Sequence, residues 1–188
     1  MVEIIMVPVD YGLIKNMLVM PQEFEFLTDL IEYQKPNSKL TEWGSGASTF
    51  HWIFKNPTVE VTSIEHNLEW FNTVKENIEH IGTNRIKLYY KPVINVIYDH
   101  TYGHPNEENP TGLNLYFNPD DSIWDSDIYF VDGISRGVTS LVVRHMNRNP
   151  SARVFFHDYR NRETYYNWVE QFYSKVVPIG ETMVELII

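Results

Sequence analysis

From Lys39 to Tyr173 the sequence switches repeatedly between short apolar runs and longer segments of helical period, and this alternation limits the possible folds more than any other feature. Strands are expected at Lys39–Trp43, Val59–Glu65, Arg85–Tyr90, Asp127–Val131 and Arg153–Phe156, and helices at Ser48–Phe54, Leu68–Ile81, Val138–Met146 and Arg162–Tyr173. Gly82 stands where the second of these helices should stop. Earlier, Pro21 followed by Glu23, Phe24, Phe26, Leu27, Leu30 and Ile31 has helical spacing, which Pro36-Asn37-Ser38 ends. Strands joined through helices pair in parallel, so the expectation is an α/β, doubly wound, mostly parallel sheet with helices on both faces. Val176-Val177 and Met183–Ile188, joined through Pro178-Ile179-Gly180, add an antiparallel C-terminal edge.

A length of 188 residues suits one domain, spanning 1–188. Its parts are an N-terminal segment and helix over 1–37 and a polar loop over 98–123, rich in Asn, Pro, Gly and His, expected on the acceptor side of a site. A net charge of -10, with the few Lys and Arg scattered, repels a phosphate backbone, so nucleic acid is not expected as a partner. The absence of cysteine removes disulfides, thiolate nucleophiles and Cys-ligated zinc together. Glu3, Pro8, Asp10 and Lys15 interrupt the apolar start, which fits neither a signal peptide nor a membrane span. A soluble, cytoplasmic protein without a membrane partner is the expectation.

The strongest local signal is Thr41-Glu42-Trp43-Gly44-Ser45-Gly46-Ala47-Ser48-Thr49, at the end of the first expected strand and the start of a helix. Glycines there let the backbone turn sharply beside a ligand, whose polar groups meet the free N–H donors of the helix. Glu65 ends the second expected strand, where a carboxylate is placed to accept ribose hydroxyl hydrogens. A triphosphate loop needs a lysine, and none lies between Lys39 and Lys55. A dinucleotide site prefers a third glycine, replaced here by Ser48 or Thr49, and would set its pyrophosphate beside Glu42. S-adenosylmethionine carries no phosphate, and its cationic groups favour a nearby carboxylate, so it fits best.

These residues, with Ser63-Ile64-Glu65-His66 and Trp70, resemble the first two motifs of class I S-adenosylmethionine-dependent methyltransferases, a Rossmann-like family. Phe130-Val131-Asp132-Gly133 and Val154-Phe155-Phe156-His157-Asp158 resemble later motifs of its sugar and polysaccharide O-methyltransferase branches. The resemblance runs from about Glu23 to Tyr173. It implies a cofactor-binding set of Glu42, Gly44, Ser45, Gly46, Ser48, Thr49, Glu65 and His66. Within it, Gly44 and Gly46 pass under the methionine moiety, Glu42 lies near its amino group, Glu65 binds the ribose, and Ser48 and Thr49 cap the helix and face the carboxylate. Lys91-Pro92-Val93 departs from the pattern, lacking the acidic or small polar residue many relatives use for adenine.

Asp132, His157 and Asp158 each follow an expected strand on the carboxyl edge of the sheet, where parallel α/β folds place ligands, and form the catalytic candidates. Asp132 and Asp158, with Asn161, are one possible site for Mg²⁺ or Mn²⁺, which would acidify an acceptor hydroxyl. Alternatively His157 removes the proton without metal. Arg136, Arg160 and Arg162 read as helix-start charges or as a clamp for an anionic acceptor. The resulting expectation is transfer of a methyl group to a sugar or glycan hydroxyl, with aromatic residues of the 98–124 loop stacking on the sugar. Alternatives are a phenol-type O-methyltransferase, a non-catalytic cofactor-binding module and a dinucleotide oxidoreductase.

Overall fold

A computed structural model describes residues 36–93, 114–117 and 119–188. The expected helix over Glu23–Ile31 and most of the 98–123 loop lie outside these residues. Seven strands form one sheet: β1 (Lys39–Trp43), β2 (Glu60–Glu65), β3 (Ile86–Tyr90), β4 (Ile128–Val131), β5 (Arg153–Phe156), β6 (Lys175–Ile179) and β7 (Met183–Ile187). Their order is β3-β2-β1-β4-β5-β7-β6. The first five pair in parallel, while β7 is antiparallel to both β5 and β6, giving the expected edge. Between them lie α1 (Ala47–Lys55), α2 (Leu68–Ile81), a helical turn α3 (Asn114–Phe117), α4 (Arg136–Met146) and a short α5 (Glu163–Tyr166).

The period of two along each strand divides the core into two layers. Leu40, Val61, Ile128, Phe130 and Phe155 face Phe50, Trp52 and Ile53 of α1 and Val74 of α2. Their neighbours Trp43, Ile64, Tyr129, Val131, Val154 and Phe156 face the other way, toward Val143 of α4 and Tyr166 and Val169. Glu42, Ser63 and Glu65 alternate in step with Leu40 and Val61, so their side chains share the α1 side. Gly82 ends α2 in the left-handed conformation, and the Asn67 side chain accepts from Trp70 N–H at its start.

Three expectations need correction. The segment Arg162–Tyr173 is not one helix: tight turns over Arg160–Arg162 and Asn167–Phe172 flank the four residues of α5. Tyr159, Tyr166, Val169 and Tyr173 are all buried and keep the spacing of one helical face, so the hydrophobic period by itself does not show the break. Nor is the described end of the 98–123 loop too polar for a core. Its Tyr116, Phe117 and Ile123, with Trp124 directly after, are buried, and the Trp43 indole N–H donates to the Tyr116 carbonyl at 3.1 Å. The closing turn comes later than expected, with Pro178 and Ile179 inside β6 and Gly180 at positive φ.

Candidate functional site

The glycine turn is held from below by Glu42, which is fully buried. Its carboxylate accepts from Ser48 Oγ at 3.0 Å, Trp52 Nε1 at 3.0 Å, Ser63 Oγ at 2.6 Å and the Thr49 hydroxyl. Ser63 is the β2 residue paired with Glu42 across the sheet, and the other three donors lie on α1. Burial pushes the carboxyl up to about 7 against the pull of these hydrogen bonds. Glu42 therefore ties β1, β2 and α1 together, and Ser48 and Thr49 turn their hydroxyls inward to it rather than toward a ligand carboxylate. Thr49 Oγ1 also accepts from Gly46 N–H at 3.0 Å, so its part in capping α1 holds.

The need for glycine falls on Gly44. Its φ is +95°, and a Cβ there would stand 2.6 Å from Gly133 N. Gly46 is extended at φ 175°, and a Cβ would meet Trp70 at 3.8 Å, an ordinary contact. The Gly44–Gly133 approach brings the β1 and β4 loops together, with Asp132 N–H donating to Trp43 O at 2.9 Å. On the other side, Glu65 accepts from Ser45 N–H at 3.1 Å and from His66 and Asn67 N–H, both at 2.8 Å. His66 Nδ1 lies 2.9 Å from Glu65 Oε1, and the Ser45 and Ser63 hydroxyls are 2.6 Å apart. Glu42, Gly44, Ser45, Gly46, Ser48, Thr49, Glu65 and His66 are thus one neighbourhood, in which only Glu65, His66 and the turn backbone border the strand ends.

Asp132, His157 and Asp158 also come together, each offering a ligand atom within 4.8 Å of the others. His157 Nδ1 is 2.7 Å from Asp132 Oδ1. Asp158 has φ 57°, a left-handed conformation rare without glycine, which turns its carboxylate back toward the strand ends. Arg136, at the start of α4, joins the set. Its guanidinium lies 3.1 Å from Asp132 and 2.9 Å from Asp158, and it donates to the carbonyls of Gly133 and His157. Burial opposes its charge, but the two carboxylates outweigh it and raise its pKa. Burial likewise pushes Asp158 up, yet Arg136, His157 and Arg162 hold it below the usual carboxylate range.

The donor set suits a divalent cation in number but not in charge, because the guanidinium already bridges both carboxylates and Asp132 is committed to His157. Asn161 sits on the turn over Arg160–Arg162, beyond Asp158. Sequence reasoning left Arg136 as a helix-start charge or a clamp for an anionic acceptor. Its burial between two strand-end carboxylates follows from the Gly133 turn, which the local pattern did not reveal. Ser63 and Trp52 were also missed; Ser63 was within reach, since aligning β1 with β2 sets it opposite Glu42.

No protein-family model matches the chain, and no curated protein matches it in sequence. Solved structures do. A methyltransferase-like protein from Silicibacter pomeroyi superposes with a TM-score of 0.68 over 90% of this chain and 88% of its own, at 21% identity. The fold is that of the class I methyltransferases. A candidate caffeoyl-CoA O-methyltransferase from Staphylococcus aureus gives 0.60 over 90% and 85%, at 14% identity. An S-adenosylhomocysteine-bound methyltransferase from Podospora anserina gives 0.56 over 95% and 93%, at 12% identity. No helix among the described residues is long and apolar enough to cross a membrane.

Proposed function

We propose that the chain is an S-adenosylmethionine-dependent O-methyltransferase that uses His157 as base on a sugar or glycan hydroxyl. The observation that carries this reading is the 2.7 Å pairing of His157 Nδ1 with Asp132, one residue from the Gly44–Gly133 contact. Asp132 orients the imidazole of His157 and stabilises the imidazolium that forms when His157 takes a proton. The acceptor oxygen, losing its proton to His157, attacks the methyl carbon in line with the carbon–sulfur bond. That bond breaks with its electron pair going to sulfur, so the cationic sulfonium becomes the neutral thioether of S-adenosylhomocysteine. Most of the rate comes from alignment, since the donor is already activated by its charge.

Glu65, Ser45 and Gly46 are the residues assigned to the cofactor, with Gly44 shaping the turn beneath it. The methyltransferase fold and its S-adenosylhomocysteine-bound neighbour support that assignment. For the acceptor, the 98–124 aromatics described here are buried, and exposed Tyr165 and Trp168 take over the expected stacking role. Trp168 is 38% exposed, and its indole rests on Gly137, the residue after Arg136. Metal activation is the less favoured version, for the reason Arg136 supplies. A neutral acceptor in the cytoplasm, rather than nucleic acid or a membrane, suits the charge of -10.

The test is calorimetry with S-adenosylmethionine and S-adenosylhomocysteine, followed by methyl transfer to mono- and oligosaccharides and to phenols, with and without EDTA. Sugar turnover that survives EDTA and falls at least a hundredfold in His157→Ala, with cofactor affinity retained, is the expected result. Turnover of phenols alone assigns the other acceptor class. Cofactor binding without any turnover assigns a binding module, and activity lost to EDTA restores the metal.

A further inference from the structure

Tyr116 lies beside the site, and the function above does not use it. It is 0% exposed and belongs to the core, yet its side chain lies over the carboxyl ends of the central strands. Its ring meets that of His66 edge to face, with centroids 5.9 Å apart. Its hydroxyl reaches Gly133, where an added Cβ would stand 1.8 Å from the oxygen. The ring therefore bridges the ends of β2 and β4, passing the Gly44 turn of β1 that contacts Gly133. The hydroxyl is buried with no acceptor for its proton among the described residues. Burial, then the nearby Glu65 carboxylate, drives the phenol well above its ordinary pKa, which keeps that proton in place.

The same ground is what a ligand must cross to reach from Glu65 to the glycine turn. Glu65 is only 3% exposed and Ser45 only 5%, so the groups assigned to ribose and methionine are covered in this form of the chain. Resting on the cofactor assignment above, we propose that Tyr116 is a stand-in for the cofactor: its ring fills the cofactor's position in the free protein and must leave before S-adenosylmethionine binds. A buried hydroxyl without an acceptor makes the closed arrangement less stable than a fully satisfied core, so departure of the ring relieves one unfavourable contact. Apparent affinity is then lowered by the fraction of molecules in which the site is open. The closed ring also keeps Glu65 and the turn dry, and their hydrogen bonds pre-formed, until the ligand arrives.

Calorimetric titration of S-adenosylhomocysteine into the wild type, Tyr116→Ala and Tyr116→Phe tests this. Tyr116→Ala should bind at least fivefold tighter than the wild type, and Tyr116→Phe no tighter, because its ring stays. Equal or weaker binding by Tyr116→Ala, with the wild type binding measurably, overturns the stand-in alone and leaves the cofactor assignment intact. No binding by either at millimolar ligand overturns both. If Tyr116→Ala does not fold, hydrogen exchange of the wild type decides. Saturation with S-adenosylhomocysteine should make the Tyr116 and Phe117 amides exchange faster, and slower or unchanged exchange overturns the proposal.

Discussion

At Gly44 and Gly46 two residues of one motif have different physical duties, and substitution separates them. Gly44→Ala must hold a Cβ at positive φ and against the Gly133 backbone, so a loss of about 2 kcal/mol or more is expected in urea unfolding. Gly46→Ala, extended and uncrowded, should lose less than about 1 kcal/mol. The motif as a string treats them alike; the conformation distinguishes them. Glu42 makes a second prediction. Its carboxyl sits near 4.5 unfolded and about 7 folded, because burial disfavours its charge. Its favourable contribution is thus complete below about 4.5 and declines as pH rises to about 7, by up to the order of 3 kcal/mol. Glu42→Gln, which carries no charge, should flatten this part of the stability profile. Unfolding midpoints of the two proteins at pH 5 and pH 8 check it: the wild type loses stability relative to the variant at the higher pH.

Among the elements, α1 is secured at both ends by side chains from outside it. Glu42 holds its amino end. At its carboxyl end Arg85, just before β3, donates to Ile53 O and Asn56 O, both at 2.7 Å. These are carbonyls that a helix end leaves without internal partners. Arg85→Met should therefore cost about 1 to 3 kcal/mol, read as a shift in denaturation midpoint with the far-ultraviolet spectrum otherwise unchanged. The elements most easily read from sequence were those whose side chains follow one period. Leu68–Ile81, with its stop at Gly82, was legible to the residue, although its cap at Asn67 was not. The β strands were legible within one residue, or two at the closing edge. The stretch Arg162–Tyr173 was not: its buried Tyr166, Val169 and Tyr173 keep the spacing of one helical face, and the tight turns that divide it leave no mark in that period. In the site, the glycine turn, Glu65 and the strand-end Asp132, His157 and Asp158 could be placed from sequence. The inward turn of Glu42 and the arrival of Arg136 and Tyr116 could not, since these depend on contacts between distant strand ends.

At the scale of the whole molecule, the sheet is completed out of sequence order. β7 lies between β5 and β6, and it joins Met183, Val184 and Leu186 to the core on both faces. Removal of residues 183–188 should thus leave a chain that elutes as aggregate on size exclusion, since β5 is left with an unpaired edge and β6 with no attachment. Retention of a compact monomer would contradict this. During synthesis the same arrangement sets a waiting time. β1 to β5 can assemble as a parallel sheet as soon as they emerge, yet the free edge of β5 stays open until a strand well beyond it arrives. At ordinary rates of translation that interval is on the order of seconds, long compared with the pairing of a β-hairpin. β6 emerges first, and only its hairpin with β7 brings it to the sheet, so the newborn chain passes through a stage in which a binding edge for other strands is already built and its own occupant is not yet made.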